Sequence, residues 1–423
     1  TPIEIQDDPA DDNEEEEAEE KEDAEEMDEE EDEEYEQEVE NDDDEEDDED
    51  DESWKVRRSA IRALKAVVET KQHNPIILWN QLYNGVPVSQ ALVARFKERE
   101  ENCRIGILDC FTFLLEVTIQ ASSKVGMLQE SVDLKQYTHS LVKACMRILS
   151  TKKGNDRSKS MALNLLATLC QAPGGIGGSA EISGIFRHVQ ALLRDSEGTS
   201  KALRLDSLSL TKNVLASDNH DPKDICASLE TTLLPQLCEA VQEQWYKLIA
   251  EALRALAQVP LFFPDSASVC DQLVNAVEPL LAAHDVDQEI KECALKAAGN
   301  LLVFCKVRED QSSRLLQLLL ERLKNETTRI AAIKTLSFVG ACDLSPILAE
   351  AVQAMGNFLQ LSSRSLKQSS LEALDIVVTN HGAKLNVDLF DSVFKELGNL
   401  ITDRDLHLSH LSLYVFPFHI VCC

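Results

Sequence analysis

The chain has 423 residues, with 76 acidic side chains against 41 basic ones and a formal charge of −35. Residues 1–53 hold 36 of those acids and one base, Lys21, so the remaining 370 residues are electrically balanced. That balance excludes a general nucleic-acid surface, which needs a clustered basic excess. The length also exceeds the ~250–300 residues at which one compact domain stops growing, leaving several domains or a repeat array.

Residues 11–52 are nearly continuous Asp and Glu, interrupted by Met27, Tyr35 and Val39. Like charges at every helical neighbour repel, and too little apolar surface is present to offset ordering entropy, so residues 1–53 are expected to be a disordered acidic segment. It reads either as a solvated tail or as an electrostatic partner site. Ser53 is placed to cap a helix starting at Trp54, and Lys55, Arg57, Arg58, Arg62 and Lys65 follow closely. The folded body therefore begins at Trp54.

From there one pattern recurs: a polar or acidic start, a base near the fourth position, then Ala and Leu at helical spacing. Copies begin at Trp54, Glu101, Asn155, Ser200, Gln244, Gln288, Glu326, Arg364 and Asp405. The base is slipped by one in the third and fourth copies and missing from the ninth. Between these anchor segments lie second amphipathic segments, such as those from Ser266, Gln311, Ser345 and Asn386. In the last, Leu389, Val393, Leu397 and Leu400 share one helical face. Alternation of period 2 is not sustained anywhere, and Pro and Gly favour positions between the helical runs. One amphipathic pair cannot cover its own apolar faces, whereas a stack of pairs can. A period near 40 with two helices per unit predicts an all-α HEAT-repeat α-solenoid over residues 54–413, a right-handed superhelical stack of antiparallel helix pairs. Residues 414–423 read as a tail outside the pattern.

Little in the sequence carries chemistry. Gly174–Gly178 is glycine-rich but lacks the Lys and preceding strand of a phosphate loop, and is expected to be a flexible connection. His407 and His410, with His419, Cys422 and Cys423, lack an accompanying carboxylate and are read as ordinary helix residues rather than metal ligands. The twelve cysteines form no C-x-x-C and sit mostly in apolar runs, as buried thiols of a reducing compartment do. No nucleophile elbow or zinc-protease motif is present, so neither catalysis nor a cofactor is expected. The opening residues show no leader pattern, no segment has the ~20 apolar residues of a membrane span, and the expected location is cytoplasmic and nuclear. What a solenoid offers is an inner surface lined by one helix of each pair. Arg58, Arg62, Arg104, Lys159, Lys247, Lys291, Lys296, Arg329, Lys334 and Lys367 would form a basic ladder there, suited to a protein with acidic patches.

The wording of the repeats is more specific than their period. Ser53-WKVRRSA after an acidic stretch, Arg95-FKEREEN, Asp285-VDQEIKECA, Glu321-RLKNETTRIAAIKTL and Leu371-EALDIVV, in that order, resemble the cullin-associated and neddylation-dissociated family. The resemblance implies an all-HEAT solenoid whose acidic stretch is a loop inserted within a repeat. It also implies a non-enzymatic regulator that wraps unneddylated cullin–RING ubiquitin ligase scaffolds, covers the acceptor lysine and promotes substrate-receptor exchange. Members are several-fold longer, and the wording departs from the family after about Leu413, so a truncated form with weak cullin binding is expected. Val415–Phe418 is expected to leave apolar surface exposed. The alternative is a HEAT-built nuclear transport receptor of the importin-β kind, whose acidic loop would meet basic cargo. Neither reading calls for nucleic acid, a membrane or a small-molecule substrate.

Overall fold

The computed structural model describes residues 53–415, apart from residues 73–74, 81, 84–85, 125–133, 152–154, 195–197, 386 and 403. The expected disorder of the acidic segment and most of the expected tail therefore lie outside the described residues. Two compact units are distinguished, Thr1–Val56 and Arg57–Cys423, and the helical array belongs to the second.

Helix α1 (Ser53–Thr70) is followed by an irregular stretch: α2 (Ile76–Asn80), a minimal antiparallel hairpin pairing Leu82 with Pro87 and Tyr83 with Val86, and α3 (Val88–Ala94). Regular pairing then begins with α4 (Glu101–Lys124), α5 (Lys135–Ser150), α6 (Asp156–Gln171), α7 (Ser179–Arg194) and α8 (Lys201–Leu215). The next outer element is split into α9 (Pro222–Ser228), a π-helical turn Leu229–Leu233, and α10 (Leu234–Ala240). Pro235 lacks the N–H that a regular turn would use, and the wider turn just before it absorbs the defect. The array continues with α11 (Tyr246–Leu256), α12 (Ala267–Ala282), α13 (Gln288–Phe304), α14 (Glu309–Lys324), α15 (Arg329–Phe338), α16 (Leu348–Phe358), α17 (Arg364–His381), α18 (Val387–Ile401) and α19 (Leu406–Val415).

The polar start of each copy has a local job. Asn155, Ser200, Asp287 and Ser363 each use a side-chain oxygen to accept an N–H of the first turn of α6, α8, α13 and α17. Ser266 does the same for α12. These N-caps satisfy donors that a helix leaves unpaired.

The helices form two layers. Anchor helices α4, α6, α8, α11, α13, α15, α17 and α19 each pack on the next, and the intervening helices pack in a parallel row. A single buried cluster runs from Val68 to Val415, so every repeat shares one seam with its neighbours. Ile290, Ala294, Ala297, Ala298 and Leu301 all face it, as the sequence spacing requires, as do Val393, Leu397 and Leu400. A Cβ on Gly299 of α13 would come within 2.9 Å of the Thr335 side chain, so glycine there permits the close approach of α15.

Polar clasps accompany the seam, and each spans about one repeat. Asn300 Nδ2 donates to the Ala257 carbonyl, Gln190 Nε2 to Thr232, and Gln311 Nε2 to Asp271. His381 Nε2 lies 3.0 Å from the Gly340 carbonyl. Backbone ties recur as well, with Lys306 N–H donating to Pro264.

Two expectations are corrected. The glycine-rich connection is a packed corner rather than a flexible loop: Ala172 and Ile176 are buried, and Asn219 clasps it. The Asn219 amide donates to the carbonyls of Cys170 and Ala172 and accepts from Gly174 N–H. Only glycine suits the corner, because Gly174 has φ of 73° and a Cβ on Gly177 would meet the Asn219 carbonyl oxygen at 2.5 Å. Gly177→Ala should therefore destabilise the chain by about 1–3 kcal/mol through overpacking, read as a lower midpoint in urea. At the other end only Val415 is corrected: it is buried, whereas residues 416–418 of the expected apolar stretch lie outside the described residues. The phase of α19 turns Leu408, Ser412 and Val415 inward and leaves Leu406, Leu413 and Tyr414 outward.

The ten described cysteines are free thiols, most of them buried in the seam. Burial pushes Cys145 and Cys170 up to about 12, which makes them packing residues rather than nucleophiles. No described helix is long and apolar enough to cross a membrane.

Candidate functional site: the anchor-helix face

The ten basic residues expected on the inner surface sort by their position in the repeat. Those at the fourth position lie in the first turn of an anchor helix, where several reach back to the preceding turn. Arg104 Nη1 donates to the Glu98 carbonyl, Lys291 Nζ to His284 at 2.7 Å, and Arg329 Nη2 to Lys324. The Arg329 guanidinium also lies 4.6 Å from the Phe358 ring centroid. These three staple the inter-helix turns of their own chain. Lys247 is exposed beside the Tyr246 ring, and Lys367, Arg58 and Lys159 are half-buried in early turns of their helices.

Arg62, Lys296 and Lys334 stand at the ninth position of their copies and are exposed. Lys296 and Lys334 are brought together across one groove of about 750 Å³ over α11, α13 and α15. Among the described residues neither lysine has a salt bridge or hydrogen bond. Ile330 and Phe338, one turn to either side of Lys334, line the same groove and are 37% and 48% exposed. Phe338 also packs against Phe304 of α13, with ring centroids 6.0 Å apart.

The face as a whole is not a basic ladder. Acids on successive anchor helices interleave with the bases. Lys65 Nζ donates to Asp109 at 2.5 Å, Ser160 to Asp206, Lys212 Nζ to Glu251 at 2.5 Å, and Arg254 to both Glu251 and Glu289. Arg204, nearly buried, donates to Glu243 at 2.6 Å. Lys65, Arg204, Lys212 and Arg254 are thus charge-matched from one repeat to the next, whereas Lys296 and Lys334 share one groove without a salt bridge among the described residues. Position scanning at the fourth residue missed Lys212, Glu251 and Arg254. Their signal is an acid and a base of one copy standing near complementary groups one repeat away.

Glu251 is the most enclosed member of this chain of ion pairs. Burial by itself would raise its pKa, but hydrogen bonds from Lys212 and Arg254 outweigh burial and hold the carboxyl below its usual 4.5. A carboxylate depressed in the folded state stabilises above its unfolded pKa and loses that contribution as pH falls through the folded value. The stability gap between the native chain and Glu251→Gln should therefore be constant near neutrality and close only below about pH 4.5. Urea titrations of both proteins between pH 7 and 3 measure it.

Stacked helix pairs, one shared seam and a polar inner layer define an α-solenoid of the HEAT type. A family profile described as "CAND1-like, TPR repeats" matches residues 179–298, although intervals of 38–54 residues between anchors exceed the 34 of a tetratricopeptide unit. The chain is 32% identical over 375 residues to cullin-associated NEDD8-dissociated protein 1 of Dictyostelium discoideum, covering 86% of the chain and 29% of that protein. It is 32% identical over 388 residues to cullin-associated NEDD8-dissociated protein 2 of Mus musculus, covering 85% and 30% respectively. The chain is thus similar over 85–86% of its length to cullin-associated NEDD8-dissociated proteins, and it spans about 30% of the length of these relatives. Among solved structures, Kap121p bound to RanGTP shares the fold with a TM-score of 0.51 at 14% identity, over 85% of this chain and 36% of that one.

Proposed function

We propose that the chain is a non-enzymatic regulator of cullin–RING ubiquitin ligases, acting in cytoplasm and nucleus. It binds the unneddylated cullin scaffold through its anchor-helix face, blocks neddylation and promotes exchange of substrate receptors. The observation that carries this reading is the similarity to those proteins over 85–86% of the chain. It is supported by a groove that offers shape and charge to a protein surface. Because the chain spans about 30% of its relatives' length, it offers less surface and binds more weakly than they do. The likeness to Kap121p is one of fold alone and does not favour the transport-receptor reading.

Pull-down of a purified cullin–RING pair, with and without attached NEDD8, tests this. Retention of the unmodified pair only, at lower affinity than a full-length relative, is expected. Failure to retain it, equal retention of both forms, or affinity equal to the longer relative's contradicts the reading.

A further inference from the structure

The groove over α11, α13 and α15 differs from the rest of the anchor face in two respects. Here Lys296 and Lys334 meet across one groove, both exposed and without a salt bridge or hydrogen bond among the described residues, whereas Lys65, Lys212 and Arg254 pair with acids of the next repeat and the other exposed bases of the ten, Arg62 and Lys247, stand on separate helices. Large apolar side chains also surface here: Ile330 and Phe338 flank Lys334 on one face of α15, and Val303 lies two turns beyond Lys296 on α13. The basic and apolar groups therefore alternate along a strip of helical pitch, about 12 Å from Ile330 to Phe338. Glu289 and Glu292, on the same helix as Lys296, line the groove as well, Glu289 held by Arg254 and Glu292 by Gln288. Those carboxylates repel a phosphate backbone.

We infer that this groove receives an amphipathic helix of the protein partner, one that sets an apolar stripe on Ile330 and Phe338 and carboxylates on Lys296 and Lys334. The inference rests on the cullin-scaffold reading above and names the element that is recognised. Charge selects the partner's sign: an acidic flank neutralises two otherwise unpaired ammonium groups, while a basic one meets them head-on. The walls select the partner's backbone. All three are helices with no free sheet edge, so an extended segment would bury its own N–H and C=O groups without partners, whereas a helix brings those bonds with it. Desolvating Phe338 and Ile330 supplies the apolar gain, and the two lysines fix the register.

The test uses the full chain and the purified unneddylated cullin–RING pair, with affinity read by fluorescence anisotropy. Lys296→Glu combined with Lys334→Glu should weaken binding by about tenfold or more, and Phe338→Ser by a similar factor. All three positions are exposed, so circular dichroism should be unchanged. Lys395→Glu, exposed on α18 in the other helix row and away from the groove, should stay within about twofold. With p-benzoylphenylalanine at position 338, the cross-linked partner peptide should come from a helix with an apolar stripe flanked by Asp or Glu. Full binding by the groove variants, an equal loss for Lys395→Glu, or a cross-link to a strand or basic segment overturns the groove assignment and leaves the cullin reading intact. Absence of binding by the native chain overturns both.

Discussion

Trp79→Ala should destabilise the chain by about 3–5 kcal/mol, the usual cost of deleting a buried indole. Helix α2 has five residues, too few to hold itself, and this is its most deeply buried described side chain. The indole is fully buried, edge-on to Phe111 of α4 at 5.6 Å between centroids and tilted against Tyr137 of α5 at 5.5 Å. Its Nε1–H donates to Thr118 Oγ1 at 2.9 Å. One residue thereby ties the irregular stretch before Glu101 to the first regular helix pair. Trp79→Phe keeps a ring in the site and loses the hydrogen bond, so it should cost only about 1 kcal/mol. Hydrogen exchange should show the alanine variant losing protection over residues 76–97 first. Equal effects of the two substitutions would contradict the assignment.

Arg322→Met ranks next, at about 2–4 kcal/mol. Arg322 lies within the apolar run of α14 and is 2% exposed, with no carboxylate bound to it. Its Nε donates to the Leu281 carbonyl at 2.8 Å and its Nη2 to Ala283 at 2.9 Å. These carbonyls belong to the C-terminal end of α12, where a helix has no internal donors left and where its dipole favours a cation. Methionine fills the volume but donates nothing, so two buried acceptors lose their partner. Arg322→Lys restores the charge without the two-pronged geometry and should fall between the two. Urea midpoints of the three proteins measure the order; a methionine variant as stable as the parent would show that the clasp contributes nothing net.

Much of the fold is legible in the sequence because repeats constrain one another. Anchors read at Glu101, Gln288 and Arg364 coincide with the first residues of α4, α13 and α17, and the others fall within three residues of a helix start. The reason is physical: a polar residue at or just before the anchor caps α6, α8, α13 and α17, and the Ala and Leu positions form the seam. The stretch from Lys71 to Glu100 was not legible, since it holds its place through Trp79 and not through periodicity. Nothing local to Arg322 reveals that a neighbouring helix ends against it. The glycine corner looked loose because its clasp, Asn219, stands 45 residues from Gly174.

The candidate site was legible only in part. A base at the fourth position recurs conspicuously, yet Arg104, Lys291 and Arg329 spend it on their own turns. Lys296 and Lys334 are among the same ten residues, but what sets them apart is that the stacking of three helices brings both to one groove beside Ile330 and Phe338. The acids that neutralise the rest of the face, Asp109, Glu251 and Glu289, are scattered along the chain and become a pattern only when adjacent repeats are superposed in space.

The working face of the array is most directly tested by hydrogen–deuterium exchange of the full chain, alone and saturated with the unneddylated cullin–RING pair. Added protection confined to the anchor row, strongest over α11, α13 and α15, is the predicted result. Protection falling instead on α12, α14 and α16, or none anywhere, would contradict it.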